Sequence, residues 1–493
     1  MEIAAILRKQ RAFVRSGVPA TYEHRLRALQ QLRRLMCSGK ERLLKAAKKD
    51  MRRDERMTDF VEFAAVMTEI DYFLANLHDW MQPEYVEKTL TTLVDATYII
   101  REPYGVALLL GPFNYPISLT LLPLVALIAA GNTAVVKPSE LTANVSQVMS
   151  DLFLEHFDQE FVAVVQADAK QTAAILTHRF DYIVYTGSTH VGRLVMKAAS
   201  EHLTPVCLEL GGKCPVIVEA DADLLITAKR LAWGKWMNNG MTCMTADYVL
   251  CTRATAAQLI PLLKQVIEEF YGHDVQSSDD YSRVPNERHF DRIHELLERT
   301  KGKVVIQAGD ADRSDLFIPP TVFEVDRSDV LLETEIFGPL LPILLVDDFE
   351  EALDYVKAGE KPLTAYIFTK NNQKAERLIN ETSSGHVLVN DLILNFSVDT
   401  LPFGGVGQSG MGQYRGRFGF EQFSHKKAVV KRGFFADAVI AARYPPMTDA
   451  KHRTLLALTT RRALPKAAVR FLQYAPYVLL GIFLSFLLDY VLE

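Results

Sequence analysis

The sequence predicts an α/β protein in which two successive series of buried parallel strands and helices are preceded by a helical region. Two observations carry this. Across residues 96–210, short wholly apolar runs alternate with helical stretches, and the same alternation returns across 213–395. Runs apolar on both faces fit parallel strands covered by helices on each side. A third observation sets the scale: 493 residues, 49% of them hydrophobic, suffice for two or three domains with a large core.

The elements follow in order. Residues 1–80 read as helix, with Leu26, Leu29, Leu32 and Leu35 recurring at helical spacing. In the first α/β series, strands are expected at Val106–Leu110, Thr133–Val136, Phe161–Val165 and Tyr182–Tyr185, with helices at 117–130 and 142–156. In the second, strands are expected at Pro215–Val218, Tyr248–Cys251, Ile343–Val346 and Tyr366–Thr369, with helices at 223–238, 254–271 and 373–381. Residues 398–435 are glycine-rich and then β-like. No internal repeat or low-complexity segment is found.

The last segment differs. After Asp449 no acidic residue occurs until Asp489, while Lys451, Arg453, Arg461, Arg462, Lys466 and Arg470 lie between. Phe471–Leu492 is then strongly apolar. At about 1.5 Å per residue it just spans a bilayer core of roughly 30 Å. Tyr474, Tyr477 and Tyr490 sit near its ends, where aromatic side chains suit the interface. A transmembrane tail is therefore expected, with the body of the protein on the cytosolic side by the positive-inside rule. The competing reading is a buried or interfacial C-terminal helix. The basic stretch 451–470 reads either as a linker to the anchor or as a helix over a substrate entrance.

Composition narrows the function. A formal net charge of −5 does not suggest a nucleic-acid surface. The five cysteines, Cys37, Cys207, Cys214, Cys243 and Cys251, are odd in number and sparse, which fits free thiols in a reducing compartment. None shows the close spacing of a zinc site, so no metal centre is expected. The N-terminus lacks the sustained apolar run of a signal peptide.

Five short stretches could carry chemistry. Cys243 follows Asn239-Gly240-Met241-Thr242, between a helix and a strand, where a loop can present a thiolate to a cleft. Glu209, in Leu208-Glu209-Leu210-Gly211-Gly212-Lys213, lies between leucines that desolvate it and raise its pKa toward that of a general base. Asn114, in Gly111-Pro112-Phe113-Asn114-Tyr115-Pro116, directly follows a strand, and its amide can donate to an oxyanion. Thr186-Gly187-Ser188-Thr189-His190-Val191-Gly192 passes from a strand into a helix and could approach a pyrophosphate, although its glycines are five apart. Lys137-Pro138-Ser139-Glu140 follows another strand of that sheet and could hold a ribose. Each has a bland counterpart: a core thiol, a solvated loop carboxylate, a turn former, a tight turn, a helix start.

Together and in this order the stretches resemble the aldehyde dehydrogenase superfamily over roughly residues 5–435. Glu335-Ile336-Phe337-Gly338-Pro339 and Leu401-Pro402-Phe403-Gly404-Gly405 add to the resemblance. The short N-terminal region, Trp233-Gly234-Lys235 and Arg443-Tyr444-Pro445-Pro446 look most like class 3, the branch that includes membrane-tailed fatty aldehyde dehydrogenases. The resemblance implies a Rossmann-like NAD-binding domain (1–82 and 104–210), an α/β catalytic domain (211–397) and a small β bridging element for oligomerisation (83–103 and 398–435). A basic linker (436–470) and a transmembrane tail (471–492) would follow. It implies Cys243 as nucleophile, Glu209 as general base, and Asn114 with the backbone N–H of Cys243 as oxyanion donors. Lys137 and Glu140 match adenosine-ribose contacts, Gly187, Ser188 and Gly192 the pyrophosphate turn, Glu335 and Phe337 the nicotinamide-ribose and ring contacts, and Lys213 a lysine near the active site.

The chain departs from the family pattern at Met241, Met244, Thr245, Tyr115 and Cys214, which puts substrate preference in doubt more than catalysis. Glu140 beside a ribose favours NAD and leaves NADP open. The implied reaction oxidises aldehydes to carboxylic acids through a thiohemiacetal and a thioester. An anchored enzyme would meet medium-to-long-chain aliphatic aldehydes, because each buried methylene adds about 0.8 kcal/mol to partitioning into the bilayer. Class 3 relatives suggest a homodimer. The endoplasmic reticulum is the first expectation for location, with the peroxisome and mitochondrial outer membrane as alternatives. Other readings are a pseudoenzyme, an acyl-transfer enzyme passing the thioester to a thiol, and a detoxifier of small or aromatic aldehydes.

Overall fold

The computed structural model describes residues 3–434, 437–460 and 474–475. The expected transmembrane tail lies outside them apart from Tyr474 and Ala475. Among the described residues no helix is long and apolar enough to cross a membrane. The described residues form two compact units, one of 3–80 with 103–425 and one of 81–102 with the described residues from Lys426 on.

The first unit holds two large sheets. In the first, the strands run in the order Gly410–Met411, Val206–Leu210, Tyr182–Gly187, Val106–Leu110, Thr133–Lys137, Val162–Val164. All pairings are parallel except that of Gly410–Met411 with Val206–Leu210. The chain lays its first three strands outward in one direction and the next two in the other. The winding therefore reverses between Val106–Leu110 and Tyr182–Gly187, and ligands of open α/β sheets bind beyond the carboxyl ends of strands at such a point. Those ends are Leu110, Lys137, Gly187 and Leu210.

The second sheet runs Lys303–Gln307, Thr321–Val325, Leu340–Leu345, Tyr248–Cys251, Pro215–Val218, Thr364–Phe368, His386–Val389. Only Lys303–Gln307 is antiparallel to its neighbour. Every residue of Val106–Leu110, Thr133–Lys137, Pro215–Val218 and Tyr248–Cys251 is buried. This is the consequence of helices on both faces, and it explains why these strands read as unbroken apolar runs. Helix Ser118–Ala130 is buried all round, as its uninterrupted apolar sequence requires, and ends at Gly131 with φ +88°.

The remaining expected elements fall within a few residues of their observed bounds: Leu340–Leu345 for the strand placed at 343–346, Thr364–Phe368 for 366–369, and Leu224–Trp236 for the helix placed at 223–238. Val206–Leu210, Lys303–Gln307, Thr321–Val325 and His386–Val389 are strands beyond those expected. Gly416–Gln422, within the stretch read as glycine-rich and β-like, is a short helix.

The second unit carries most of a three-stranded sheet, Glu84–Tyr85, Ala96–Pro103, Ser424–Lys431 in that order. Ion pairs within it include Arg432 with Asp95, at 2.9 and 3.0 Å from Arg432 Nε, Arg101 with Glu84 at 2.5 Å, and Lys427 with Glu102. Asp449–Thr460, inside the basic stretch, is a helix.

Candidate active site

The switch point gathers the stretches singled out in the sequence. Gly111–Asn114 leaves the end of one central strand and Gly187–Ser188 the end of the other. Lys137 ends the adjacent strand, and Glu209 sits at the penultimate position of Val206–Leu210. From the other side come the segments that enter the second sheet: Gly211–Cys214 before Pro215, Gly240–Asp247 before Tyr248, and Glu335–Pro339 before Leu340. The site thus lies between the carboxyl ends of one sheet and the amino ends of the other.

Asn114 is 3% exposed, and its amide Nδ2 donates to the carbonyl of Met241 at 3.0 Å. Its own carbonyl accepts from Asn238 Nδ2 at 3.0 Å and from Arg53 Nη1 at 3.1 Å. Tyr115 Oη shares a hydrogen bond of 2.7 Å with Thr242 Oγ1. The Asn114 segment is thereby fastened to the loop that carries Cys243. Arg53, 2% exposed, pairs with the fully buried Glu62, whose other oxygen caps helix Ser118–Ala130 by accepting from Ile117 N at 2.8 Å and Ser118 N at 3.0 Å. Gly240, at φ +72°, is the turn that brings the loop to Cys243, and a Cβ there would strike the carbonyl of Gly338.

Cys243 is half-buried. Burial, and then the carboxyls of Glu335 and Glu209, push its thiol well above the ordinary range. A thiol raised in this way gives up its proton less readily, since nearby acids disfavour a second negative charge. Cys214 Sγ donates to the carbonyl of Cys243 at 3.4 Å.

Glu209 is a buried strand residue, and neither carboxyl oxygen has a hydrogen-bond partner among the described residues. Burial alone holds its pKa well above the carboxylate range, in the direction its leucine neighbours suggested. Near it, Tyr414 is fully buried with a hydroxyl that has no hydrogen-bond partner among the described residues, and the charges of Glu209 and Cys243 both act on it. Sequence reasoning missed it, since Tyr414 arrives from a segment two hundred residues distant. It also missed Arg53, Glu62 and Asn238.

Glu335 is pushed up to about 8 by burial and by the charge of Asp247, opposed by the N–H of Gly212 and by Lys213 and Arg292. A Cβ on Gly211 would collide with its carboxyl, so that glycine is what lets Glu335 lie against the chain. Asp247 is in turn held by Lys213 and by the N–H of Ile336 at 3.0 Å. Lys235 is completely buried, its amine has no hydrogen-bond partner among the described residues, and burial lowers it to about 8. Phe337 adopts a left-handed φ of +45° and meets Phe113 edge-on at 5.8 Å.

The residues suit a dinucleotide. Ser188 caps helix Thr189–Ser200 by accepting from Val191 N at 3.4 Å, so that helix start opens at the switch point. Side chains at Gly187 and Gly192 would collide with Tyr185 and Leu210, which keeps the backbone there bare and close. Lys137 and Glu140 pair with one another at the neighbouring strand end.

A winding reversal with an open helix start thus shares one mouth with a loop cysteine and two buried carboxyls. The sequence matches the aldehyde dehydrogenase family over residues 4–429. It is 42% identical over 447 residues to aldehyde dehydrogenase family 3 member A2 of Mus musculus, covering 90% of this chain and 92% of that one. It is 41% identical over 446 residues to the dimeric NADP-preferring aldehyde dehydrogenase of Canis lupus familiaris, covering 90% and 98%. The fold superposes on Staphylococcus aureus AldH in its substrate-bound state with a TM-score of 0.90 at 34% identity, over 93% of this chain and 99% of that one. The chain belongs to the aldehyde dehydrogenase family and is an oxidoreductase acting on aldehydes with NAD(P).

Proposed function

We propose that the protein oxidises medium-to-long-chain aliphatic aldehydes to carboxylic acids with NAD, using Cys243 as nucleophile. The observation that supports this most is the grouping of Cys243, Asn114 and the unpartnered carboxyl of Glu209 at one mouth between the two sheets. Lys137, Glu140, Gly187, Ser188, Gly192, Glu335 and Phe337 would hold the cofactor, which supplies the hydride acceptor. Cys243, half-buried at the mouth, gives up its proton to solvent, and the thiolate attacks the aldehyde carbon, forming the alkoxide of a thiohemiacetal. The amide of Asn114 and the backbone N–H of Cys243 hold the oxyanion, worth about 3 kcal/mol per donor in comparable sites. Loss of hydride from the carbon leaves a thioester on Cys243. Glu209, once ionised, takes a proton from water, and the hydroxide so formed attacks the thioester carbon, releasing the carboxylic acid and returning the Cys243 thiol.

Chain-length preference rests on the apolar segment 471–492 and on similarity to relatives of family 3. A bilayer-anchored enzyme with its body in the cytosol meets aldehydes that water scarcely dissolves. The membrane would be the endoplasmic reticulum, or else the peroxisomal or outer mitochondrial membrane, and the working form a homodimer. The test is NADH formation by the purified full chain over a ladder from acetaldehyde to octadecanal, with Cys243→Ala as control. Activity that climbs with chain length and disappears in the control supports the reading. Equal rates on acetaldehyde and hexadecanal sink the chain-length part, and silence on every aldehyde with NAD and NADP sinks the whole.

A further inference from the structure

Charge is unevenly placed along this chain. Residues 1–56 hold 16 Lys and Arg against 6 Asp and Glu, whereas the other residues hold 39 against 54. Most of that basic excess lies on helix Tyr22–Met51. Its inner face, with Leu29, Leu32, Leu35, Met36 and Leu43 buried, packs on helices Ala143–His156, Ala64–Trp80 and Ser118–Ala130. The opposite face is an exposed ridge at three-to-four spacing: Glu23, Arg27, Gln30, Arg34, Cys37, Glu41, Lys45 and Lys48.

The cations on the flanks are engaged. Arg33 pairs with Asp71 at 2.7 Å, Lys40 with Asp59 at 2.7 Å, and Arg42 with Glu155 at 3.0 Å and Asp151 at 3.5 Å. On the ridge, Lys45 and Glu41 offset one another at 3.7 Å. Arg27, Arg34, Lys48 and the adjoining Lys49 have no carboxylate partner among the described residues. Arg27 makes only a hydrogen bond from Nε to the carbonyl of Glu23, at 3.2 Å. From Arg27 to Lys48 the ridge is about 30 Å long at the helical rise. It is exposed, and it carries no aromatic side chain on which a base could stack. A row of unpaired cations on a flat face complements a planar anionic surface within a Debye length of about 8 Å.

We propose that this ridge docks on a layer of anionic lipid headgroups. The inference rests on the reading of the protein as a membrane-associated enzyme and gives the body a contact of its own, independent of the apolar tail. Each cation near such a surface strengthens binding by about fivefold at low salt.

The test is flotation of the purified full chain with vesicles of phosphatidylcholine alone or with phosphatidylserine added. Wild type is compared at low and high salt with the triple variant Arg27→Glu, Arg34→Glu, Lys48→Glu. The wild type should bind phosphatidylserine vesicles at least about tenfold more strongly than neutral ones at low salt. Salt should erase the difference, and so should the triple variant. Thermal melting and activity on a short soluble aldehyde should be unchanged, since the three side chains touch nothing in the site. A wild type indifferent to headgroup charge, or a variant that keeps the preference, overturns the proposal. So does tighter binding to duplex DNA through the same three residues. Binding to neutral vesicles reads the tail separately, so failure of the anchor and failure of the ridge are distinguishable.

Discussion

At the scale of single residues, the site stores its reactive groups uncharged. Cys243 and Glu209 are both raised: burial disfavours the anion at each, and at Cys243 the carboxyls of Glu335 and Glu209 add to it. Alkylation of Cys243 by iodoacetamide in the cofactor-free protein should therefore be slow at neutral pH and climb about tenfold per pH unit up to pH 9, because only the thiolate reacts. A rate already level at pH 7 would contradict a resting thiol. Glu335 makes a second prediction. Its folded-state pKa of about 8 lies above the ordinary carboxyl value of 4.5. The native state therefore keeps a proton that the unfolded chain loses near 4.5. The sign follows: this group's contribution favours folding below 4.5 and weakens as pH rises from there to 8. Glu335→Gln should flatten that part of the stability-pH curve in urea titrations, and should weaken NAD binding measured by equilibrium dialysis. Wild-type stability flat between those pH values would exclude the raised pKa.

At the scale of elements, the nucleophile loop and the Asn114 segment are set by helices far from them in sequence. Arg53, just past the end of helix Tyr22–Met51, reaches Asn114, Asn238 and Glu62 together, and Glu62 then caps helix Ser118–Ala130. Arg53→Met leaves the Glu62 carboxylate buried without its partner. It should cost about 3–5 kcal/mol of stability and lower kcat more than it raises KM, because Asn114 loses one of its two side-chain tethers. Chemical denaturation and steady-state kinetics check the two parts. A stable variant with unaltered kcat would show that Asn238 alone places Asn114.

At the scale of the whole molecule, a single mouth is furnished by strand ends from one sheet and strand beginnings from the other. The small unit with its three-stranded sheet exposes Tyr85, Val94, Val430 and Phe434, the last fully. Apolar side chains on a short sheet of this kind fit the oligomerisation role that the class 3 resemblance implies. Light scattering of the full chain in mild detergent should give twice the monomer mass, and Phe434→Lys should shift it toward the monomer. A monomer at all working concentrations would count against the dimer.

The sequence by itself determined the α/β class, most strand positions and the residues that meet at the site. Buried parallel strands leave continuous apolar runs, and Cys243, Glu209 and Asn114 each stand beside a glycine or proline punctuation that marks a strand end. Glu209 shows the limit. Its leucine neighbours gave the direction of its pKa, but its place inside a strand, bare of any partner, came from pairing with Tyr182–Gly187 and Gly410–Met411. Tertiary structure alone decided that the Cys243 thiol is raised, that Tyr414 lies near Glu209, and that Arg53 and Glu62 hold Asn114. These facts depend on which charges share a low-dielectric space after residues hundreds of positions apart are packed together, and no local pattern in the chain records that distance.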